Sequence, residues 1–136
     1  MKNIVIAIVI LSSLILFNCK KDELSDRFQL LTTPVWIADS LLADGVDVRG
    51  PGELLENFTG EAKFNKDGTG LFGIYTGNWE LAYNDTQIII STDSIPFPVA
   101  AEIDELTATS LKINTAFPNV YDPSIPIKIR MTFKSK

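Results

Sequence analysis

The 136-residue chain contains no histidine and a single cysteine, Cys19. The missing histidine removes the commonest general base and transition-metal ligand at neutral pH. One cysteine cannot close an internal disulfide, so folding must rest on a hydrophobic core. There is no Gly-x-Ser-x-Gly elbow and no glycine-rich phosphate loop. Basic residues are few and scattered: 12 Lys and Arg face 17 Asp and Glu, a net charge of −5. Nucleic-acid binding needs cations clustered on one face, so that class is set aside. Asp39, Asp44 and Asp47 fall near one loop, but the aspartate spacing of a calcium loop is absent. Asp22-Glu23 and Asp104-Glu105 are adjacent acids. Neighbours along a strand face opposite ways, so neither pair is expected to form a two-carboxylate site. These absences lead to the expectation of a protein that is not an enzyme, with no catalytic residue, no metal site and no cofactor.

What is present begins with an apolar run. Ile4 to Phe17 is interrupted only by Ser12 and Ser13. As a helix it would span about 21 Å, short of the ~30 Å hydrocarbon core, which suits a signal-peptide core better than a membrane span. The run leads into Leu16-Phe17-Asn18-Cys19. An aliphatic residue three before a cysteine resembles the lipobox of bacterial lipoproteins. The resemblance implies that residues 1–18 are a cleaved lipoprotein signal peptide. It also implies that the Cys19 thiol takes a diacylglycerol and that the new amino group is acylated, as with palmitate. Each buried methylene contributes about 0.8 kcal/mol, so two or three chains hold stably where one holds marginally.

Lys20-Lys21-Asp22-Glu23 comes next. A lysine and two acids after the lipidated cysteine resemble an export signal of Gram-negative lipoproteins. That signal would place the protein on the outer face of the outer membrane. Taken as plain chemistry, the same charges make a solvated tether. Leu24, Phe28 and Leu31 have helical spacing behind Ser25 and Asp26, either of which can cap. Residues 19–33 are therefore expected to be a lipidated tether ending in a short helical turn that plugs or flanks one end of the β domain.

From Pro34 the period changes to two, and residues 34–136 are expected to form that single β domain. Pro34 to Ser40 begins the first strand, and Asp44-Gly45 is a turn signal. Val46 to Leu55, with Gly50-Pro51-Gly52, is a loop with one helical turn at its end. Phe58, Gly60, Ala62 and Phe64 alternate with polar neighbours up to the turn Asn65-Lys66-Asp67-Gly68. Thr69 to Tyr75 returns. After Gly77, Trp79, Leu81 and Tyr83 alternate up to Asn84-Asp85. Gln87 to Ser91 carries three isoleucines, which suggests burial on both sides or a covered outer face. Two further strands carry Val99-Ala101-Ile103 and Leu111-Ile113-Thr115. Ile127, Ile129, Met131 and Phe133 alternate with Lys and Arg in the last. No helix-length segment separates these eight strands, so a parallel sheet is excluded. The expected fold is all-β, an eight-stranded antiparallel up-and-down barrel; a two-sheet sandwich is the alternative.

Phe64-Asn65-Lys66-Asp67-Gly68-Thr69 followed by Gly77-Asn78-Trp79-Glu80-Leu81 resembles the core of bacterial lipocalin-like lipoprotein domains. Trp36 and the final Met131-Thr132-Phe133 fit the same layout. The resemblance implies a small barrel with an apolar pocket and no catalytic residues. An apolar or amphipathic small ligand is then expected near Phe58, Tyr75, Trp79 and Tyr83. Gly60, Ala62, Gly73 and Ala101 could leave the space for it. Alternatively those small residues let the strands coil while large neighbours fill the interior. A reading of another class makes the domain an interaction module that presents its loops, Val46 to Leu55, Asp93 to Pro98 and Phe117 to Pro126, to a protein or glycan. Asp93-Ser94-Ile95 resembles a bacterial O-glycosylation site, with Ser94 as acceptor, and Asp39-Ser40-Leu41 shares the pattern. The chain is expected to act as a monomer, attached to the membrane through Cys19.

Overall fold

A computed structural model describes residues 25–136. The expected signal peptide and Cys19 lie outside the described residues. The first element is a short helix, α1, Asp26–Thr32. Ser25 caps it, its hydroxyl accepting from the Phe28 amide at 3.1 Å. Thr33 still takes helical backbone, and the helix stops there because Pro34 has no amide hydrogen to continue the ladder.

Nine strands come after it: β1 (Trp36–Ala43), β2 (Val46–Asp47), β3 (Glu61–Phe64), β4 (Thr69–Phe72), β5 (Tyr75–Ala82), β6 (Gln87–Thr92), β7 (Val99–Leu106), β8 (Ser110–Phe117) and β9 (Ile127–Ser135). Each pairs antiparallel with its neighbour, and β9 pairs back onto β1 from Trp36↔Ser135 to Ala43↔Ile129. That closure makes an eight-stranded up-and-down barrel and decides against an open sandwich. β2 stands outside the ring. It pairs only with the end of β1, through Leu42↔Asp47 and Ala43↔Val46, across the Asp44-Gly45 turn. Asp44 and Gly45 both take positive φ, at 48° and 83°, the backbone a tight two-residue hairpin requires.

Two strand boundaries differ from the sequence pattern. Phe58 and Gly60 do not continue β3. Phe58 belongs to a 3-10 turn over Glu56–Phe58, and Gly60 sits at φ 100°, which ends the strand geometry. Thr69 to Tyr75 is not one strand either. The chain turns at Gly73-Ile74, so Tyr75 and Gly77 both fall inside β5. Gly73 takes φ 63°, and its amide donates to the Glu61 carbonyl at 2.9 Å. The backbone of Asn57 and Phe58 occupies the place a side chain would need.

Two bulges re-aim side chains. In β7 the register shifts between Ile103 and Glu105, leaving Asp104 as the extra residue. Asp104 accepts from Asn114 at 2.7 Å and Glu105 meets Lys112 at 3.2 Å, so both acids stand on the outer wall. The strict alternation expected of this pair fails because a bulge breaks the period of two. In β1 the shift falls between Ala38 and Ser40, and Asp39 turns outward to Lys134 at 3.1 Å.

The inner face carries the core. Trp36, Leu41, Phe64, Phe72, Trp79, Ile88, Leu111, Ile113, Ile129 and Phe133 are all buried. Of the three isoleucines in β6, Ile88 is fully buried, whereas Ile89 faces outward opposite Glu80 and Ala100 and is only partly covered. Helix α1 closes one end, as its sequence position suggested. Leu31 is fully buried there, and its carbonyl accepts from Trp36 Nε1 at 3.0 Å. Lys63 Nζ donates to the carbonyls of Thr32, Thr33 and Pro34 at 2.6, 3.2 and 3.0 Å. These are carbonyls a helix end leaves without intrahelical partners. Arg27 Nε donates to the Asp85 carbonyl at 2.7 Å and ties the helix to the β5–β6 turn.

Candidate binding site

The up-and-down order puts the connections at two ends. The plugged end carries α1 and the turns at 65–68, 83–86 and 107–109. The opposite, open end carries the connections 44–60, 73–74, 93–98 and 118–126. A cleft enters the barrel on that side. Its mouth is formed by Phe58, Gly73, Ile95, Val99 and Phe117. Deeper in it is lined by Ala62, Phe64, Phe72, Ile90, Ala101, Ile113, Ile129, Met131 and Phe133, with Thr115 and Asn114, whose amide points to the outer wall, the only polar residues of its lining. Small side chains, Ala62 and Ala101, leave the space that larger ones would close.

The cleft is narrow, with a volume of about 50 Å³. Small-molecule sites run to roughly 300–1,000 Å³. A single water needs only about 10–15 Å³ measured in the same way. The barrel is therefore mostly filled by its own side chains, and what remains suits a few carbon atoms.

Of the four residues expected at a ligand, only Phe58 lines this cleft. Tyr75 packs on Phe58 at 5.0 Å, and its hydroxyl accepts from Asn57 Nδ2 at 3.0 Å. It props the mouth from behind and does not line it. Trp79 points toward the plugged end. It meets Phe64 edge-on at 5.4 Å and Phe28 of α1 at 5.4 Å, while its Nε1 donates to the Asn65 carbonyl at 3.0 Å. Tyr83 sits in the β5–β6 turn at φ 50° and is 74% exposed. Turn geometry and strand length separate these aromatics: consecutive inward positions along β5 run from one end of the barrel to the other. Ile95, Val99, Ile113, Phe117 and Met131 were missing from the expected set. Val99, Ile113 and Met131 sit in visible alternation and Ile95 and Phe117 in the expected loops, but the end of the barrel they face depends on pairing.

The open end also gathers the exposed apolar side chains. Val46, Leu54, Ile74, Phe97, Val120, Tyr121 and Ile125 all lie on its connections, and among the described residues only Tyr83 matches them at the plugged end. The three loops expected as an interaction surface thus converge at one end. Ser94 is exposed on one of them, while Ser40 is held in β1.

The three aspartates expected near one loop are engaged separately. Asp47 is paired with Arg49 at 2.6 Å, Asp44 accepts from the Lys128 amide at 2.9 Å, and Asp39 pairs with Lys134. Among the described residues no three Asp, Glu, His or Cys side chains converge as a metal site. The hydrogen bond from Arg49 lowers the Asp47 carboxyl below its ordinary range, and bonds from Ser124 do the same for Asp122. Among the described residues no helix is long and apolar enough to cross a membrane. No protein-family model matches the chain, and no curated protein matches it.

Proposed function

We propose that this is a non-enzymatic binding domain of the bacterial cell envelope, held by a lipid on Cys19, with the open end of the barrel as its working face. The observation that carries the reading is the gathering of exposed apolar side chains around the mouth of an apolar cleft. Contiguous apolar surface is costly to leave in water and marks sites of association. The nearly filled barrel favours a partner that rests on the loops and inserts one apolar group over a carrier that swallows a whole ligand.

The lipocalin-like and lipoprotein readings rest on the Phe64 to Leu81 pattern and on Leu16 to Cys19. If the anchor is at Cys19, the tether to Ser25 reaches about 20 Å at most. Ser25 leads into α1 at the plugged end. The plugged end then faces the membrane and the open end faces away from it. Intact-mass measurement of membrane-extracted protein tests the anchor: an unmodified Cys19 with residues 1–18 attached would remove it.

A second reading, a slender apolar small ligand, draws on the almost wholly apolar wall of the cleft. Titration with the neutral fluorophore N-phenyl-1-naphthylamine separates the two. If the loops bind it, a Phe97→Ser, Val120→Ser, Tyr121→Ser variant loses the signal while Ala101→Leu keeps it. If the cleft binds it, Ala101→Leu abolishes the signal. No enhancement with the wild-type protein would count against both. Intrinsic tryptophan emission is a poor reporter here, because Trp36 and Trp79 both lie toward the plugged end.

A further inference from the structure

The unbalanced charge of the barrel lies at its open end. The open end carries Asp44, Asp47, Glu53, Glu56, Asp93 and Asp122 against Arg49 and Lys128. The plugged end carries Arg27, Lys63, Lys66, Lys134 and Lys136 against Asp26, Asp67, Asp85 and the ion-pair partners of Lys134 and Lys136, Asp39 and Glu61, so its charges balance. Among the described residues, Asp47 is the one open-end acid in an ion pair. Glu53 and Glu56 accept from the amides of Gly50 and Gly52, each at 2.7 Å, and Asp122 from Ser124 at 2.6 Å. Neutral donors fix these carboxylates in place and leave their negative charge uncompensated. The connections around an apolar mouth thus carry a net negative charge, while the opposite end is balanced.

We propose that the open end docks a basic amphipathic segment of another protein. One apolar anchor side chain enters the cleft, further apolar residues rest on Val120 and Tyr121, and Lys or Arg of the segment face the rim carboxylates. The inference rests on the reading of the open end as the working face. Size selects the occupant: a volume of about 50 Å³ takes one side chain, not a whole lipid or cofactor. Binding energy at such surfaces concentrates in a buried anchor surrounded by weaker contacts. Sign selects it too. Like charge repels anionic lipid surfaces and fatty-acid carboxylates, while complementary charge steers a cationic partner and raises its rate of encounter. The peptide must also be amphipathic, since charge alone leaves the exposed Val120 and Tyr121 wet.

The test uses the full chain and a labelled amphipathic Leu/Lys peptide, read by fluorescence anisotropy. A matched Leu/Glu peptide and a scrambled Leu/Lys peptide serve as controls. The expected result is binding of the Leu/Lys peptide alone, weakened about tenfold between low and high salt. A Glu53→Gln, Glu56→Gln, Asp93→Asn variant should weaken it about as much. Gln and Asn keep the hydrogen-bond acceptor and remove the charge. A Glu80→Gln, Asp104→Asn variant on the side wall should leave it unchanged. Equal binding of the Leu/Glu or scrambled peptide overturns the inference. So do independence of salt, an equal loss in the side-wall variant, and preferential binding to vesicles of anionic lipid. If no peptide binds but N-phenyl-1-naphthylamine still does at the open end, the basic partner is excluded and the working face stands. If neither binds, both fall.

Discussion

Phe97 and Phe117 stand ring to ring at the mouth of the cleft, their centroids 6.4 Å apart and their planes tilted by 57°. Phe117, the last residue of β8, lines the cleft; Phe97 sits on the 93–98 loop and is 41% exposed. The two tie a loop to the barrel wall without sealing the interior. Phe97→Ala should therefore cost only about 0.5–1.5 kcal/mol, the worth of an aromatic pair at a partly wet site. Phe117→Ala also strips a cleft wall and should cost about 2–3 kcal/mol. Urea denaturation checks both. Equal losses would mean the Phe117 ring contributes nothing beyond the pair.

The helix plug should matter more than its length suggests. Leu31 is fully buried, and its carbonyl holds the Trp36 indole. Leu31→Ala should destabilise by about 2–5 kcal/mol, as buried leucines do when the site cannot collapse. The change should also shift tryptophan emission to longer wavelength, because Trp36 and Trp79 both pack at the plugged end. An unshifted spectrum with unchanged stability would show that α1 is not part of the core.

Two glycines with positive φ should respond differently to alanine. Gly45, at φ 83°, has nothing within 4 Å of a built side chain. Gly45→Ala should cost about 1 kcal/mol from backbone strain alone. Gly73, at φ 63°, adds a collision with the backbone of Asn57 and Phe58. Gly73→Ala should cost about 3 kcal/mol or more and disturb the cleft mouth. Thermal unfolding of the two variants under one set of conditions settles the order.

Acid should destabilise the domain only at low pH. Hydrogen bonds from Arg49, Thr69, Ser110 and Ser124 lower the carboxyls of Asp47, Asp67, Glu105 and Asp122 respectively, and Lys112 assists at Glu105. A lowered carboxyl binds protons less readily folded than unfolded. Its contribution is present above the ordinary carboxylate range and is lost as pH falls through the folded value. All four are exposed, so salt should shrink the effect. With no histidine in the chain, no side chain of ordinary pKa titrates between about pH 5 and 8. Tm should be flat across that window and fall below about pH 4. A step in Tm near neutrality would contradict this.

The sequence pattern located the barrel well and the site poorly. Alternation in Ile127 to Phe133 and the Asn65 to Gly68 turn marked strands because side-chain period and turn chemistry are local. So was the Ser25 cap on α1. The bulge at Asp104 was not visible, since one inserted residue changes facing without changing composition. Tyr75, Trp79 and Tyr83 looked like one aromatic face because they share the inward parity of β5. In the barrel they stand at different heights, and none of the three lines the cleft.

By itself, the sequence determined the class of the domain. It specified eight alternating strands, tight turns, no disulfide, no histidine chemistry and an acidic surface, because each of these follows from residue type and spacing along the chain. Only the tertiary structure decided that β9 returns to β1, that α1 closes one end, and that apolar loops and uncompensated acids meet at the other. Those features depend on contacts between residues far apart in the chain, such as Trp36 with Ser135 and Asp44 with Lys128. No local pattern encodes which end of a strand a distant loop will share.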